Sequence, residues 1–478
     1  MLYVVSRVGP AVSIFPMTNA VLFDADLIRR CDCAGPRYTS YPTAVQFSSA
    51  FGEDAYRRVA MTSNERTPGQ PLSVYVHVPF CASPCFYCGC NRVITRSRDR
   101  AAAYVARLKS EIELQSELFS RTRAVDQLHF GGGTPTFLEV GELASLLDHL
   151  GRHFSLAPAE SREYSIEIDP RTVTPASVRA LAQLGFNRMS LGVQDFDPDV
   201  QVAVNRLQSK EQTLQVTDAA RAAGVRSISF DLIYGLPRQT LDGFARTLDA
   251  VIDARPDRLA VYAYAHMPRL FKAQKRIFAD ELPTPDLRLR LLGLTVERLT
   301  AAGYVYIGMD HFALPDDELV RAKQGRSLQR NFQGYSTHAD QDLIGLGVSA
   351  IGKVGDSYSQ NFKALPDYYA AIDAGHLPVQ RGLLLTEDDR IRRAVIQELM
   401  CHELVDCAAI GRRFGIDFKR YFGLELERLQ ELQALGLTYV RNGCVGVTLA
   451  GRLLMRTVAM VFDAYNVQRP AETFSKVV

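Results

Sequence analysis

Residues 72–90 read Leu-Ser-Val-Tyr-Val-His-Val-Pro-Phe-Cys-Ala-Ser-Pro-Cys-Phe-Tyr-Cys-Gly-Cys. The first seven residues are mostly β-branched or apolar, and this composition predicts a buried strand over residues 72–78. A short loop with four cysteines follows that strand at once. Cys81, Cys85 and Cys88 stand at offsets 0, 4 and 7, and Cys90 comes two residues later. The stretch predicts an α/β fold in which a loop rich in thiols leaves the end of a strand.

Strand-like runs alternate with helical patterns through the following residues, as is typical of βαβ units with a parallel sheet. Strands are predicted at residues 72–78, 125–130, 164–168, 188–193, 227–233 and 258–263. Helices are predicted at residues 101–118, 138–154, 212–223, 241–254 and 287–302. Each predicted strand ends at a polar or Gly/Pro-rich turn. Because the carboxyl ends of parallel strands meet on one face, these turns predict a single active site.

A second, smaller unit is expected after Gly382. Helical patterns cover residues 387–402, 406–413 and 424–435. Asn442-Gly443 lies between apolar residues of the segment 437–447, which predicts a β-hairpin, and a last helix is predicted at 449–465. Helices followed by a hairpin resemble a winged helix. The segment shows no dense Lys/Arg face, so we do not expect it to bind DNA.

The composition is that of an ordinary globular protein. The chain has 478 residues, 47% of them hydrophobic, and 55 Lys and Arg residues against 53 Asp and Glu residues. This balance argues against disorder and against nucleic-acid binding through bulk charge. No run of eighteen apolar residues predicts a membrane span, and no signal peptide is evident. We expect a cytoplasmic protein, with Met17 as a possible alternative start and residues 1–16 then outside the native chain.

The clustered cysteines predict a metal or redox site, since soft thiolates favour iron–sulfur clusters or zinc. A structural zinc site would use Cys90 as its fourth ligand. However, only one residue separates Cys88 from Cys90, whereas paired zinc thiolates are usually two to four residues apart, and no second Cys/His pair lies near. Three thiols on a four-iron cluster would leave one iron open to another ligand. Both types of site stay open on these residues alone.

Further motifs add a family resemblance. Cys-x3-Cys-x2-Cys after the first strand and Gly131-Gly-Gly-Thr-Pro135 after the second resemble the radical S-adenosylmethionine superfamily. Within it, the chain resembles the oxygen-independent coproporphyrinogen III dehydrogenases from about residue 30 to its C-terminus. The motifs that carry this resemblance lie at residues 37–43, 75–80, 88–91, 167–171, 192–196, 204–206, 231–237, 308–312 and 331–335.

The resemblance implies an α/β fold: a partial (β/α)6 radical-SAM barrel with an N-terminal extension and a mainly helical, winged-helix-like C-terminal domain. The expected domains are residues 1–70, folding over the barrel mouth, residues 71–382, forming the barrel and its extension, and residues 383–478, forming a lid. Gly345-Leu-Gly347-Val-Ser-Ala350 also fits a dinucleotide-binding pattern. Residues 339–342 before it do not predict a buried strand, so we do not expect nicotinamide binding.

The resemblance also implies cofactors and their ligands. Cys81, Cys85 and Cys88 match the ligands of a [4Fe-4S] cluster, and Cys90 matches a family cysteine that is not a ligand. Two molecules of S-adenosylmethionine are expected near the cluster. Residues that match other cofactor-binding positions of the family are Tyr75, Gly132, Gly133, Thr134, Glu167, Gln194, Arg206, Asp231 and Ala265. Gln333 and Ile351 match positions that hold the second cofactor or its surroundings. From residue type, Arg206 is a candidate bidentate donor to a carboxylate.

The implied reaction is the oxidative decarboxylation of two propionates of coproporphyrinogen III to vinyl groups, through a 5′-deoxyadenosyl radical from S-adenosylmethionine. The product is protoporphyrinogen IX, in heme biosynthesis. A reduced flavodoxin- or ferredoxin-type electron donor and a monomeric enzyme are expected. A tetracarboxylate substrate needs cationic or amide-rich walls, and the candidate contacts are Arg37, Tyr38, Tyr41, His266 and His311.

Three other functions remain at this stage. A related heme chaperone would share the barrel but typically lacks the cysteine that stands here as Cys90. A radical methyltransferase of class C would share the two-cofactor architecture, and the motif at residues 37–43 argues against it. A non-catalytic metal-binding regulator with a winged helix would explain the cysteines and the C-terminal unit, but it would not explain six polar strand ends.

Overall fold

The computed structural model of the chain describes residues 21–338 and 340–466. The alternative start at Met17 and the first sixteen residues lie outside the described residues. Within them, no helix is long and apolar enough to cross a membrane.

Nineteen strands are present in the described residues. They are β1 (Leu72–Val78), β2 (Phe80–Cys81), β3 (Val93–Ile94), β4 (Val125–Gly132), β5 (Glu163–Ile168), β6 (Arg188–Gln194), β7 (Ser227–Tyr234), β8 (Arg258–Ala263), β9 (Val305–Gly308), β10 (His311–Ala313), β11 (Gln329–Asn331), β12 (Gly334–Ser336), β13 (Asp342–Leu346), β14 (Ile351–Val354), β15 (Ser357–Asn361), β16 (Val379–Leu384), β17 (Leu404–Asp406), β18 (Thr438–Arg441) and β19 (Cys444–Val447).

Sixteen α-helices accompany these strands in the same part of the chain. They are α1 (Ala25–Cys31), α2 (Glu53–Arg66), α3 (Arg98–Ser116), α4 (Val140–His153), α5 (Pro175–Gln183), α6 (Pro198–Ala203), α7 (Lys210–Ala222), α8 (Leu241–Ala254), α9 (Pro285–Ala301), α10 (Glu318–Gln324), α11 (Leu365–Asp373), α12 (Glu387–His402), α13 (Cys407–Phe414), α14 (Phe418–Tyr421), α15 (Gly423–Ala434) and α16 (Met455–Met460).

The main sheet has twelve strands in the order β16-β15-β14-β13-β1-β4-β5-β6-β7-β8-β10-β9. Its centre is parallel from β13 through β8. The first and last strands in this order do not pair with each other among the described residues, so the sheet forms a partial barrel. The six predicted strands and the partial (β/α)6 barrel are confirmed. Helix α8 has the predicted bounds, and the other predicted barrel helices start and end within a few residues of theirs.

The antiparallel part of the sheet was not predicted. Strands β14, β15 and β16 extend one edge, and β10 and β9 extend the other. The prediction that no buried strand precedes the dinucleotide-like motif was wrong, because β13 begins at Asp342, is buried throughout and pairs in parallel with β1. Gly345 lies inside this strand, where a Cβ atom would come within 2.8 Å of the Ile351 backbone. This glycine therefore serves close packing of two strands.

The C-terminal unit has the predicted winged-helix-like form. Helices α12, α13 and α15 accompany a small sheet in the order β17-β19-β18. The hairpin between β18 and β19 turns at Asn442 and Gly443, whose φ angles of 52° and 73° suit the expected tight turn. The prediction of one helix over 449–465 was wrong, since only α16 and a preceding 3-10 turn form there. The Gly451 N–H bonds back to Thr448, which keeps this segment in a turn.

The N-terminal segment joins the barrel to the C-terminal unit. Ser48 forms a β-bridge with Gly382, next to the end of the main sheet. The Tyr38 hydroxyl donates to Asp463 at 3.0 Å, and Arg456 donates to the carbonyl of Pro36 at 3.1 Å. Residues near position 37 are therefore fixed by contacts with both the main sheet and the last helix.

Glu111 is a buried polar centre of the fold. Its side chain lies in the otherwise apolar face of α3 and is fully buried. Its carboxylate accepts from the Gly347 N–H and the Tyr368 hydroxyl, both at 2.6 Å, and from the Asn361 amide at 2.7 Å. Burial raises the pKa of Glu111 to about 7. One side chain therefore ties α3 to the end of β13, to β15 and to α11.

We expect Glu111→Gln to lower the free energy of unfolding by about 1–3 kcal/mol, because an amide nitrogen cannot accept one of the three buried donors. Chemical denaturation of the purified chain measures this difference. Glu117→Gln, at an exposed position just after the same helix, is the matched control and should leave stability unchanged. An E111Q chain as stable as the unmodified chain would contradict this role.

Candidate active site

The four clustered cysteines lie on the loop that follows β1. The short strands β2 and β3 pair in parallel and hold the two ends of this loop together. Arg92 donates to the carbonyls of Cys88 at 2.9 Å and of Cys85 at 3.2 Å, so the loop folds around its guanidinium. The Phe86 N–H bonds to the Val204 carbonyl, which attaches the loop to the end of α6. These contacts fix the loop at the carboxyl end of the barrel strands.

Each of the first three thiols has a different polar neighbour. The Cys81 Sγ lies 3.4 Å from the Thr134 hydroxyl, and the Cys85 Sγ lies 3.5 Å from the Arg206 guanidinium. Burial raises the pKa of the Cys81 thiol to about 11. The hydrogen bond between the Cys88 and Cys90 thiols, with the charge of Arg92, lowers the pKa of Cys88 to about 6. Cys88 is therefore the thiol most readily ionised before any metal binds.

A cavity of about 370 Å³ opens beside these cysteines, and we call it the thiol cavity. The structure brings most of the residues singled out from the sequence to its wall. Those on the wall are Cys81, Cys85, Cys88, Cys90, Gly132, Gly133, Thr134, Glu167, Gln194, Arg206 and Asp231. They come from the ends of several parallel strands, which agrees with the prediction that the turns after these strands form one active site.

The glycines on this wall allow the strand ends to pack closely. A Cβ atom on Gly133 would lie 2.7 Å from the carbonyl of Pro79, and one on Gly132 would lie 2.5 Å from the His77 ring. Gly132 also has a φ of 114°, which side chains rarely adopt. The sequence suggested that these glycines let backbone approach a ligand. In the structure, the absence of side chains at these glycines lets the end of β4 pack against His77 and Pro79, in the segment that leads to Cys81.

Arg206 is buried, and both of its terminal nitrogens contact the protein, whereas its Nε has no partner among the described residues. It forms an ion pair with Asp169 at 3.1 Å and donates to the Gly192 carbonyl at 2.5 Å. Arg171 pairs with the same carboxylate at 2.7 Å and approaches Cys85 at 3.6 Å. Burial alone would raise the pKa of Asp169, but the two guanidiniums hold it below its usual value. Arg206 thus supports the Cys85 side of the loop, and its terminal nitrogens are not free for a bidentate bond to a carboxylate.

Glu167 and Asp231 form the acidic part of the wall. Burial favours the neutral form of Glu167, but His129 at 3.2 Å and the Gly132 N–H at 3.0 Å lower its pKa overall. Asp231 accepts only from the Ser190 hydroxyl, at 3.0 Å, among the hydrogen bonds of the described residues. Burial, and then repulsion from Glu167, raise the pKa of Asp231 to about 7. Near pH 7, Glu167 is therefore ionised while Asp231 is partly protonated.

A second cavity of about 170 Å³ runs through the inside of the barrel, and we call it the barrel cavity. Glu167, Ser190 and Asp231 line both cavities, so the two spaces meet at these side chains. Gln333 lines the barrel cavity with a side-chain nitrogen that lacks a partner among the described residues. His311 also lines it. Tyr75 stacks on His129, which lines the same space, with 5.7 Å between ring centroids.

Three of the predicted cofactor-binding residues, Tyr75, Ala265 and Ile351, line neither cavity. Ala265 follows β8, and its carbonyl accepts from Gln274 at 3.2 Å. Ile351 begins β14 and packs on the small core of Phe47, Tyr358 and Leu385. Of the candidate substrate contacts, Tyr38 is buried against Asp463 and the Tyr41 ring packs near Tyr465. His266 accepts from or donates to the Tyr264 hydroxyl at 2.9 Å.

Several residues of the site were not singled out from the sequence. Asp169 and Arg171 were quoted only within a motif, although they fix Arg206. Ser190 and His129 hold the two carboxyl groups, and both lie inside strands rather than at their ends. The period-2 pattern could have found them, since polar residues that alternate with buried ones in a parallel strand must face the barrel interior.

The thiol cavity fits an iron–sulfur cluster better than a single metal ion. The donors are soft thiols, three of which surround one space. In the described part of the chain, one group of potential metal ligands has all its donor atoms within 4.8 Å of one another. It consists of Glu113, His149 and His153 on the outer helices α3 and α4, and it does not include the cysteines. The thiols are spread more widely than the ligands of one tetrahedral zinc ion, as a larger cluster requires.

Comparison with known proteins agrees with this site. Residues 75–251 match the radical SAM superfamily, and residues 385–454 match the HemN C-terminal domain. The oxygen-independent coproporphyrinogen III oxidase of Pseudomonas aeruginosa is 52% identical over 462 residues, which cover 97% of this chain and all of that protein. The Escherichia coli oxidase of the same name is 45% identical, with 95% and 98% of the two chains covered.

The chain belongs to the oxygen-independent coproporphyrinogen III oxidase family. A solved structure of the E. coli coproporphyrinogen III oxidase HemN, described as a radical SAM enzyme, matches with a TM-score of 0.89 at 44% identity. It covers 93% of this chain, and this chain covers all of it. Membership in this family implies a [4Fe-4S] cluster and S-adenosylmethionine, for which the thiol cavity offers suitable donors.

The raised pKa of Asp231 has a measurable consequence for stability. The folded pKa of about 7 lies above that of an unfolded aspartate, so folding takes up a proton between about pH 4 and 7. The contribution of Asp231 to the free energy of unfolding therefore falls as pH rises through this range, by up to about 1.4 kcal/mol per pH unit. We expect Asp231→Asn to remove this slope in chemical denaturation of the cluster-free chain.

The exposed Asp253→Asn is the matched control and should retain the slope of the unmodified chain. If the free energy of unfolding of D231N depends on pH in the same way as that of the unmodified chain, Asp231 is ionised throughout this range.

Proposed function

We propose that this chain converts two propionate side chains of coproporphyrinogen III into vinyl groups without oxygen, giving protoporphyrinogen IX. The observation that carries the proposal is the junction of the thiol cavity with the barrel cavity at Glu167 and Asp231. A cluster beside the cysteines can thereby share one enclosed space with a substrate inside the barrel. The full-length similarity to coproporphyrinogen III oxidases supports this choice of substrate.

We assign the cluster ligands to Cys81, Cys85 and Cys88, and we leave Cys90 as a hydrogen-bonding neighbour. All four thiols line the thiol cavity, with Cys81 beside Thr134 and Cys85 beside Arg206. Cys90 is the exposed residue of the four, and its N–H lies 3.4 Å from the Cys88 Sγ. A bound cluster and S-adenosylmethionine would supply radical chemistry at the β-carbon of the propionate.

The chain's own residues bind and orient the reactants. Glu167 is ionised and can accept hydrogen bonds from hydroxyl or amino groups of the cofactor. Protonated Asp231 can donate a hydrogen bond, and its proton is held at a carboxyl oxygen near Ser190. Gln194 lies at a bulge of β6 with a φ of 66°, which turns its side chain at the cavity wall.

Two molecules of S-adenosylmethionine are proposed, with Gln333 and Ile351 near the second. The unpaired amide nitrogen of Gln333 on the barrel cavity supports a polar ligand there. Ile351 and Ala265 are retained from the family resemblance, together with Tyr75, which stacks beside the acidic wall. A reduced flavodoxin- or ferredoxin-type donor and a monomeric, cytoplasmic enzyme complete the proposal.

We also propose that the two ends of the chain close the partial barrel. The N-terminal extension to residue 70 contacts both the main sheet and the C-terminal unit that follows residue 382. Arg456 of that unit donates to the Pro36 carbonyl. A lid made in this way would shield the barrel cavity on the side that the sheet leaves open.

The ligand assignment predicts different effects for four similar substitutions. Cys81→Ser, Cys85→Ser and Cys88→Ser should each abolish the cluster and reduce turnover by at least about a thousandfold, because the radical chemistry depends on it. Cys90→Ser should retain iron and sulfide near four atoms of each per chain. The measurement is metal and sulfide analysis after anaerobic reconstitution. A cluster lost only in C90S would reverse the assignment.

The function itself is tested by anaerobic incubation of the reconstituted chain with S-adenosylmethionine, a reductant and coproporphyrinogen III. Mass spectrometry should detect protoporphyrinogen IX and 5′-deoxyadenosine together. Deoxyadenosine without the divinyl product would keep radical chemistry but assign it another substrate. Tight heme binding with neither product would contradict the proposal and favour the related chaperone.

A further inference from the structure

We propose that Arg37, Arg330 and His311, which we call the carboxylate subsite, bind a propionate of the substrate that is not the one being decarboxylated. The inference rests on the proposed function and adds the residues that recognise the substrate's other acidic groups. Arg37 comes from the N-terminal segment, Arg330 from β11 and His311 from β10. Three distant parts of the chain thus bring donor groups together.

Arg330 is the central residue of the subsite. Its side chain is buried, and its Nη1 atom has no hydrogen-bond partner among the described residues. Its Nε donates to the carbonyl of Arg37 at 3.3 Å, and its guanidinium lies 4.8 Å from the centre of the Tyr335 ring. A buried guanidinium nitrogen without an acceptor is costly, and a carboxylate is the acceptor that best fits it.

Arg37 and His311 lie beside Arg330. Arg37 pairs with Asp310, and its guanidinium lies 5.4 Å from the centre of the Tyr262 ring. His311 packs edge-on against Tyr262 and Tyr335, and its Nδ1 has no partner among the described residues. Burial and the charges of Arg330 and Arg456 lower the pKa of Arg37 to about 10, as expected where like charges lie close together. An incoming carboxylate would relieve this repulsion.

Two separate cavities border the subsite. Arg330 lines a cavity of about 60 Å³ between the N-terminal segment and the β11–β12 hairpin. His311 lines the barrel cavity, which meets the thiol cavity at Glu167, Ser190 and Asp231. Tyr335, which packs against both Arg330 and His311, also lines the barrel cavity. The subsite therefore borders the space proposed for the substrate.

The chemistry decides which propionate is held. A reacting carboxylate must lose its charge as carbon dioxide leaves, so a strong ion pair with it would stabilise the ground state and slow the reaction. Beside the thiol cavity, Arg206 and Arg171 share the carboxylate of Asp169, and Arg92 donates to the carbonyls of Cys85 and Cys88, so each of these guanidiniums already has a protein partner. The arginines at the opposite end can hold a propionate that keeps its charge throughout.

The test measures binding of coproporphyrin III, a stable oxidised tetracarboxylate, and of its tetramethyl ester in the same detergent, by fluorescence titration of the reconstituted enzyme. Arg330→Gln should weaken binding of the acid by about tenfold or more and leave binding of the ester unchanged. Arg330→Lys should lose less affinity. Arg412→Gln, at an exposed position of α13, is the matched control and should bind both porphyrins as the unmodified enzyme does.

Kinetics separate recognition from chemistry. In R330Q the KM for coproporphyrinogen III should rise about as much as binding of the acid weakens, while kcat falls less and cluster iron is unchanged. If R330Q does not assemble a cluster, the same titrations are made with R330K and His311→Gln. Both variants should bind coproporphyrin III more weakly and its tetramethyl ester unchanged.

Wild-type affinity for the acid in all variants, or equal losses for acid and ester, would overturn the inference. An unmodified enzyme that binds the acid through Arg330 but forms no protoporphyrinogen IX would overturn the proposed function alone.

Discussion

The unequal ionisation of two neighbouring carboxyl groups is the constraint on which the site depends. Glu167 of β5 and Asp231 of β7 lie on either side of β6 and line the same junction between two cavities. His129 and the Gly132 N–H stabilise the charge of Glu167, whereas desolvation and then repulsion from Glu167 raise the pKa of Asp231. One acid can therefore accept hydrogen bonds while the other donates. This difference arises from strand register, because His129 and Ser190 are placed by the pairing of β4, β5 and β6.

Charged groups lie at both ends of the barrel interior. The thiol end carries Glu167 and Asp231, and it also carries Arg171 and Arg206, which share the single carboxylate of Asp169. The other end carries Arg37 and Arg330, near Tyr262 and His311. In the proposed arrangement, Arg330 holds one propionate away from the cysteines while another reaches the thiol cavity.

Much of this arrangement could be predicted from the sequence. Short β-rich runs that alternate with helical patterns located the six parallel strands, and their polar ends located the active-site edge. The Asn442-Gly443 turn was found because few residue pairs accept its positive φ angles. These signals are local, so a single sequence contains them. Cys81, Cys85 and Cys88 were found for the same reason, since their spacing lies within one loop.

The features that the sequence did not reveal depend on contacts between distant residues. Nothing in residues 342–361 indicates that β13 joins the sheet beside β1 while β14 and β15 turn back antiparallel. Glu111 appeared as one polar residue in an apolar helix face, and its three donors come from residues more than two hundred positions away. The predicted final helix failed because Thr448 captures the Gly451 N–H. Arg330 lies in a three-residue strand whose sequence does not indicate burial.

In the proposed enzyme, the thiol cavity and the barrel cavity form one reaction space. Coproporphyrinogen III that carries deuterium at the β-carbons of its propionates tests this continuity. The enzyme should release 5′-deoxyadenosine that contains deuterium, in step with loss of carbon dioxide, because the hydrogen passes directly between substrate and cofactor. Unlabelled deoxyadenosine formed alongside protoporphyrinogen IX would contradict the claim, since the transfer would then proceed through an exchangeable group.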